Sequence, residues 1–169
     1  MDLRSWAVAD TITSMGDTYD SNTYEPQNAI GQLLNRVRAK LLAAIDRELA
    51  GDRQLAAVEA SSVHLIVLTS LSTGAAKSAS DLCKGMSYNG GAMTRMIDRL
   101  EENGLLRRIR RLDDRRLIHL ELTEKGNNAV PHMREGARRA LNRLLRGFTK
   151  AEARQLERLL TRMLNNALH

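Results

Sequence analysis

From Asn28 to the C-terminus, apolar residues recur with the period of α-helices, interrupted once by a segment that reads as two strands. Ile30, Leu33, Leu34, Val37, Leu41, Leu42, Ile45 and Leu49 fall at i, i+3, i+4, i+7 spacing, one face of a long helix that Gly51 can stop. A second helix, around Val58 to Leu71, is apolar nearly all round (Val63, Leu65, Ile66, Val67, Leu68, Leu71), which places it at the centre of the domain. Gly74 opens a loop, after which Ser78 or Ser80 can cap a short helix carrying Leu82 and Cys83. Met86 and Ser87 turn the chain into another helix, capped by Ser87 or Asn89 and stopped at Asn103-Gly104. Leu105 to Arg111 and Leu117 to Leu122 read as strands joined through Asp113-Asp114-Arg115-Arg116. Thr123 can cap a helix through Val130, Met133, Ala137, Leu141, Leu144 and Leu145, where Pro131 should kink the helix or delay its start. Gly147 ends that segment, and Thr149-Lys150-Ala151-Glu152 is a capping box opening a last helix striped with Leu156, Leu159, Leu160, Met163, Leu164 and Leu168.

A helix-turn-helix pair followed by an arginine-tipped hairpin is a winged helix-turn-helix. The fold class expected is mainly α with a small β-hairpin wing, flanked by a helical dimerisation region drawn from both chain ends. Residues 1–27 form an N-terminal arm, 28–57 a dimerisation helix and linker, 58–126 the winged helix-turn-helix, and 127–169 the C-terminal dimerisation helices. The arm is polar but carries Trp6, Val8 and Ile12, so it is either a mobile tail or a short helix docked on the body. The first helix and the last two carry more apolar surface than so small a domain can bury. At ~25 cal/mol per Å² that surface favours pairing with a second copy, the alternative being an intrachain bundle.

Charge sharpens this picture. The chain has 26 Lys+Arg against 20 Asp+Glu, a net +6 that modestly favours a polyanion. Its placement says more: Arg107, Arg108, Arg110, Arg111, Arg115 and Arg116 lie together, opposed there only by Asp113 and Asp114. In a helix-turn-helix the side chains near the start of the second helix reach base edges, here Asn89, Gly90, Gly91, Ala92, Thr94 and Arg95. Arg95 is the first candidate for a bidentate contact to guanine, whereas Asn89 caps the helix or touches a base. The two glycines let backbone approach a duplex closely, at a cost of roughly 1 kcal/mol each relative to alanine. Arg99 lies deeper along the helix, where pairing with Asp98, Glu102 or Asn103 is expected. Arg115 and Arg116 suit a narrow minor groove. Arg110 and Arg111 are candidates for phosphate, the remaining strand arginines for solvent or for Glu101 and Glu102. Ser78, Lys84 and Ser87 suit phosphate anchors.

Other chemistries find little support. The single cysteine, Cys83, excludes an intrachain disulfide, suits a reducing compartment and reads as a small core thiol. The four histidines show no metal-ligand spacing, so neither metal nor cofactor is expected. No nucleophile–base pair, carboxylate dyad or phosphate loop appears, which argues against an enzyme. No apolar run approaches ~20 residues, and Asp2, Asp10, Asp17 and Asp20 interrupt the N-terminal region. A cytoplasmic protein without a membrane partner is expected. A winged-helix module for protein or RNA is the alternative, but aromatics at 3% provide no stacking platform for single strands.

The stretch Gly91-Ala92-Met93-Thr94-Arg95-Met96-Ile97-Asp98-Arg99-Leu100 closely resembles the recognition helix of the MarR family of regulators. Asp114-Arg115-Arg116-Leu117-Ile118-His119-Leu120-Glu121-Leu122-Thr123-Glu124-Lys125-Gly126 fits the family's wing pattern, D-x-R-x-x-x-apolar-x-L-T-x-x-G. The wing and the following helix also look similar to the MprA/EmrR type, repressors of multidrug efflux. The resemblance implies a homodimer on a palindromic double-stranded operator, repression of nearby genes, and relief by a small aromatic or phenolic effector. Through it Arg116 becomes the pattern's arginine and Asp114 the residue that orients it. It also implies an effector pocket between the dimer helices and the winged lobe, which Arg36, Arg38 and His64 could face and Trp6 could close. Control of an aromatic-compound catabolic operon stays open beside control of efflux or stress genes.

Overall fold

The computed structural model describes residues 19, 24–26, 29–86, 89–110 and 118–167, with the side chain of Arg110 excepted. Trp6, Ser87, Arg111, Asp114, Arg115 and Arg116 lie outside the described residues. The elements run α1 (Ile30–Ala50), a 3-10 turn (Ala56–Val58), α2 (Ser62–Ser72), α3 (Ala79–Met86), α4 (Gly90–Glu102), β1 (Leu106–Arg110), β2 (Ile118–Leu122), α5 (Glu124–Leu144) and α6 (Lys150–Asn166). Mostly helix with one antiparallel hairpin, this is the expected class. No described helix is long and apolar enough to cross a membrane. The chain divides into two compact units, residues 1–38 and 39–169. In the first, the Tyr19 and Tyr24 rings meet edge-on with centroids 5.5 Å apart, and the Tyr19 hydroxyl accepts from the Ile30 N–H at 3.4 Å.

The second unit gathers its core from every element but α6: Leu49, Leu55, Leu68, Leu82, Met93, Ile97, Leu100, Leu105, Leu106 and Met133 are almost wholly buried. Two expectations about element boundaries need correction. Val58 does not begin the second helix. It belongs to the 3-10 turn, because Glu59 follows in the left-handed region at φ 43° and ends that turn. α2 then starts at Ser62, with Ser61 capping the His64 N–H at 3.3 Å. Asp46 of α1 reaches across to accept from the Ser62 N–H at 2.6 Å, so a carboxylate joins the Ser61 hydroxyl as a second acceptor at the same helix start. Nor does Pro131 delay α5, which starts directly after its Thr123 cap and continues through the proline. The carbonyl that loses its partner there is that of Asn127, which is exposed, so water can replace the missing N–H.

Thr123 and Gly126 seat α5 on the corner that precedes the hairpin. The Thr123 hydroxyl donates to the Gly104 carbonyl at 2.6 Å and accepts from the Gly126 N–H at 3.1 Å. The Thr123 N–H donates to the Leu105 carbonyl at 3.1 Å. Gly104 turns that corner with φ 67°, a conformation that favours glycine.

Candidate nucleic-acid interface

α4 carries its apolar residues at i, i+4 and i+7. Met93, Ile97 and Leu100 are buried against the core, while Gly90, Gly91, Thr94 and Arg95 stand on the exposed face. The sequence alternatives for its cap resolve to Asn89, whose Oδ1 accepts from the Ala92 N–H at 2.8 Å. That bond uses one end of the amide and leaves the Asn89 NH₂ available to an outside acceptor. The Thr94 hydroxyl donates to the Gly90 carbonyl at 2.9 Å. Arg95 is exposed and enters no ion pair among the described residues. Among the described residues a methyl group at Gly90 would meet nothing within 4 Å, and at Gly91 only the Asn89 Oδ1 at 3.7 Å. Packing among the described residues therefore does not require either glycine.

α3 is oriented by a small cap of its own. The Asp81 Oδ2 accepts from the Lys77 and Ser78 N–H groups at 3.0 Å each, and the Ser78 hydroxyl accepts from the Asp81 N–H at 3.2 Å. The Lys77 N–H, then the Ser78 hydroxyl, hold the Asp81 carboxyl below the usual range. Of the two serines considered for this cap, Ser78 is the one engaged. Lys84 is exposed on the same helix, and Cys83 is half-buried against the core.

The hairpin is tied to α4 by Arg108. This residue donates to Asp98 at 2.6 Å and pairs with Glu101 through the same guanidinium, and its backbone N–H donates to Glu101 at 2.9 Å. Burial works against the charge on Arg108, but Asp98 and Glu101 hold its pKa above the ordinary value. Arg107 faces Glu121 across the strand pair at 3.2 Å, as the register Arg107↔Glu121 requires. Sequence reasoning allowed a strand arginine to pair with Glu101 or Glu102, but not the contact of Arg108 with Asp98. Arg110 pairs with Ile118 in the same register.

Arg99 corrects a further expectation. Its guanidinium pairs not with a neighbour on its own helix but with Glu59, forty residues earlier in the chain. No local pattern signals that contact, because Glu59 becomes its neighbour only once the left-handed turn before α2 has formed. Behind this pair lies His64, 4% exposed, in a cavity of about 380 Å³ lined by Glu59, Ser61, His64, Ala92, Arg95, Met96 and Arg99. Arg36 and Arg38, grouped with His64 as effector candidates, are exposed on α1 in the first unit.

A sequence profile of the MarR family matches residues 61–118, from the start of α2 into the hairpin, the segment that holds this face. The segment 61–118 is MarR-like. Two regulators of Bacillus subtilis strain 168 are similar: the HTH-type transcriptional regulator YdgJ, 32% identical over 89 residues, and the HTH-type transcriptional repressor MdtR, 33% identical over 92. These alignments cover 53% and 54% of this chain and 54% and 59% of the relatives, so the chain spans little more than half the length of the regulators it matches. The crystal structure of a C80S mutant of E. coli MarR complexed with operator DNA superposes with a TM-score of 0.70 at 26% identity, covering 83% of this chain and 99% of that one. Similarity to family members thus extends from the winged helix, where the profile matches, to elements on either side of it.

Proposed function

We propose that this chain belongs to the MarR family and acts in the cytoplasm as a homodimeric, sequence-specific DNA-binding regulator, a repressor relieved by a small aromatic or phenolic ligand. One observation carries the DNA-binding part: α4 buries Met93, Ile97 and Leu100 and turns outward an arginine with no ion pair among the described residues, two unhindered glycines and a half-used asparagine amide. Those are the groups a helix needs to lie in a major groove with its start against the bases. Arg95 reads a base edge, Asn89, Gly90, Ala92 and Thr94 line the contact, and Ser78, Lys84 and Ser87 position the phosphate backbone. Arg110 and Arg111 meet phosphate, and Arg115 and Arg116 enter the adjacent minor groove, with Asp114 orienting Arg116. The operator is a palindrome whose half-sites lie one turn, about 10 bp, apart. The operator-bound E. coli relative supports this assignment through its shared fold.

For the effector, the cavity beside His64 offers an imidazole, two arginines and an apolar floor, a set that suits an aromatic acid or phenol; Arg36, Arg38 and Trp6 are the remaining candidates. The repressor name of MdtR supports repression, and control of efflux or stress genes is favoured over control of aromatic catabolism by the resemblance in the wing.

Fluorescence anisotropy on the DNA upstream of the chain's own gene, against random DNA, tests the reading. Selective binding should fall steeply with salt, because each neutralised phosphate releases counterions, and salicylate should weaken it. Arg95→Ala should lose sequence discrimination, whereas Arg110→Ala should weaken all sites evenly. Equal loss on specific and random DNA for Arg95→Ala would remove that residue from base readout.

A further inference from the structure

A second cavity, of about 420 Å³, shares no lining residue with the one beside His64. Its walls are the turn between α1 and α2, the first turns of α5, and Leu105 at the corner before β1. Val58, Leu105 and Ala129 are buried and give it an apolar floor. Its polar lining comes mostly from one face of α5, where Glu124, Asn128 and His132 recur every four residues and Lys125 stands beside Glu124.

The walls are held without a ligand. In the turn, Asp52 Oδ1 accepts from the Gln54 N–H at 2.9 Å, and the Val58 N–H donates to the Leu55 carbonyl at 3.1 Å. Three successive carbonyls at the corner are taken by the cap and first turn of α5. The Lys125 ammonium donates to Asn103 at 2.8 Å, the Thr123 hydroxyl to Gly104 and the Thr123 N–H to Leu105. His132 Nδ1 lies 3.6 Å from Asp52 Oδ2 and so joins α5 to the turn. A cavity formed in advance spares its ligand the cost of ordering it.

The unused valences on the rim define what it takes. The Glu124 carboxylate has no partner among the described residues, and Lys125 spends one of its three N–H donors on Asn103. The amides of Gln54 and Asn128 add neutral donors and acceptors. Opposite charges on one rim select against a ligand with a single charge. A plain carboxylate drawn to Lys125 meets Glu124, and a plain amine drawn to Glu124 meets Lys125. A small molecule that carries both charges satisfies both, and the floor calls for an apolar group beside them.

We infer that this cavity binds a free amino acid with an apolar side chain, its carboxylate at Lys125, its ammonium at Glu124 and its side chain on Val58, Leu105 and Ala129. The volume lies near the lower end of the ~300–1,000 Å³ of ligand pockets, as so small a molecule requires. This site is separate from that of the aromatic effector and stands independently of the DNA-binding reading.

Isothermal titration calorimetry of the full chain with L-leucine and L-phenylalanine tests it without DNA. At least one of them should bind saturably, one molecule per chain. For leucine, isocaproate lacks the ammonium and L-leucinamide the carboxylate charge; for phenylalanine, 3-phenylpropionate and L-phenylalaninamide do the same. Each analogue should bind roughly tenfold or more weakly than its parent, the effect of losing a charge-assisted hydrogen bond. Glu124→Gln should weaken the amino acid by a similar factor and spare the analogue without an ammonium. Lys125→Gln should weaken the amino acid and spare the amide. Since Lys125 also holds the Asn103 carbonyl, thermal melting accompanies that variant, and Glu124→Gln decides the matter if Lys125→Gln unfolds. Three results would each overturn the site: no saturable binding of either amino acid, analogues as tight as the parent, or binding undiminished by Glu124→Gln.

Discussion

Two glycines of this chain have opposite physical roles, and single methyl groups separate them. A Cβ at Gly126 would overlap the Leu105 carbonyl oxygen far inside van der Waals contact, at the point where α5 seats on the corner before the hairpin. Backbone cannot yield there without breaking the Thr123 contacts, so Gly126→Ala should cost ~3 kcal/mol or more, the upper range for overpacking, in urea unfolding. At Gly91 the same methyl meets only ordinary contact. Gly91→Ala should therefore raise stability by up to ~1 kcal/mol through helix propensity while lowering affinity for a duplex that approaches this backbone. A rise in stability with no loss of affinity would show that the duplex stays clear of the glycine. The residues legible beforehand were those whose roles are local: Asn89, Thr123 and the Thr149–Glu152 box all cap as their spacing announces. Arg99 was not, since its partner Glu59 is distant in sequence and depends on a left-handed turn that no residue type there demands.

Among elements, the coupling of α4 to the hairpin is the feature on which a winged helix depends, for a recognition helix and a wing must reach two grooves at once. Asp98 and Glu101 lie three apart and so share one face of α4, and Arg108 bridges both from β1. The pairs are partly exposed, so the expected loss of stability for Arg108→Ala is only about 1 kcal/mol after solvent screening. Its loss of operator affinity should be larger, because an unclamped hairpin no longer presents its arginines in register with α4. Arg108→Lys should recover little, since an ammonium cannot span two carboxylates as a planar fork does. Equal affinity for wild type and Arg108→Ala would show that strand pairing alone fixes the wing. Helix types and order were readable because apolar period and caps are local signals. The shift of α2 to Ser62 was not, because it depends on Asp46 reaching from α1 to cap that start.

At the scale of the whole molecule, α6 poses the remaining energetic question. It is amphipathic, with Leu156, Leu159, Leu160, Met163 and Leu164 on its apolar stripe, yet none of its residues is buried by its own chain, and Leu164 is 67% exposed. A helix of this length owes its stability mostly to packing of its apolar face. On α1, Ile30, Leu33, Leu34 and Val37 are likewise exposed. In the proposed homodimer a second copy would offer the same surfaces in return and close a two-fold assembly. Sedimentation equilibrium should then give twice the chain mass, with a melting temperature that rises with protein concentration. Leu159→Glu combined with Met163→Glu should yield a monomer in which α6 loses helicity by circular dichroism. The same double variant bears on function. One lobe alone contacts one half-site and neutralises about half the phosphates, so its dependence on salt should be about half as steep. Discrimination should fall further than the halved contact suggests, because spacing between half-sites is read only by two lobes held at a fixed separation. A double variant that stays monomeric yet still distinguishes correctly spaced palindromes from misspaced ones would separate operator choice from dimerisation through α6.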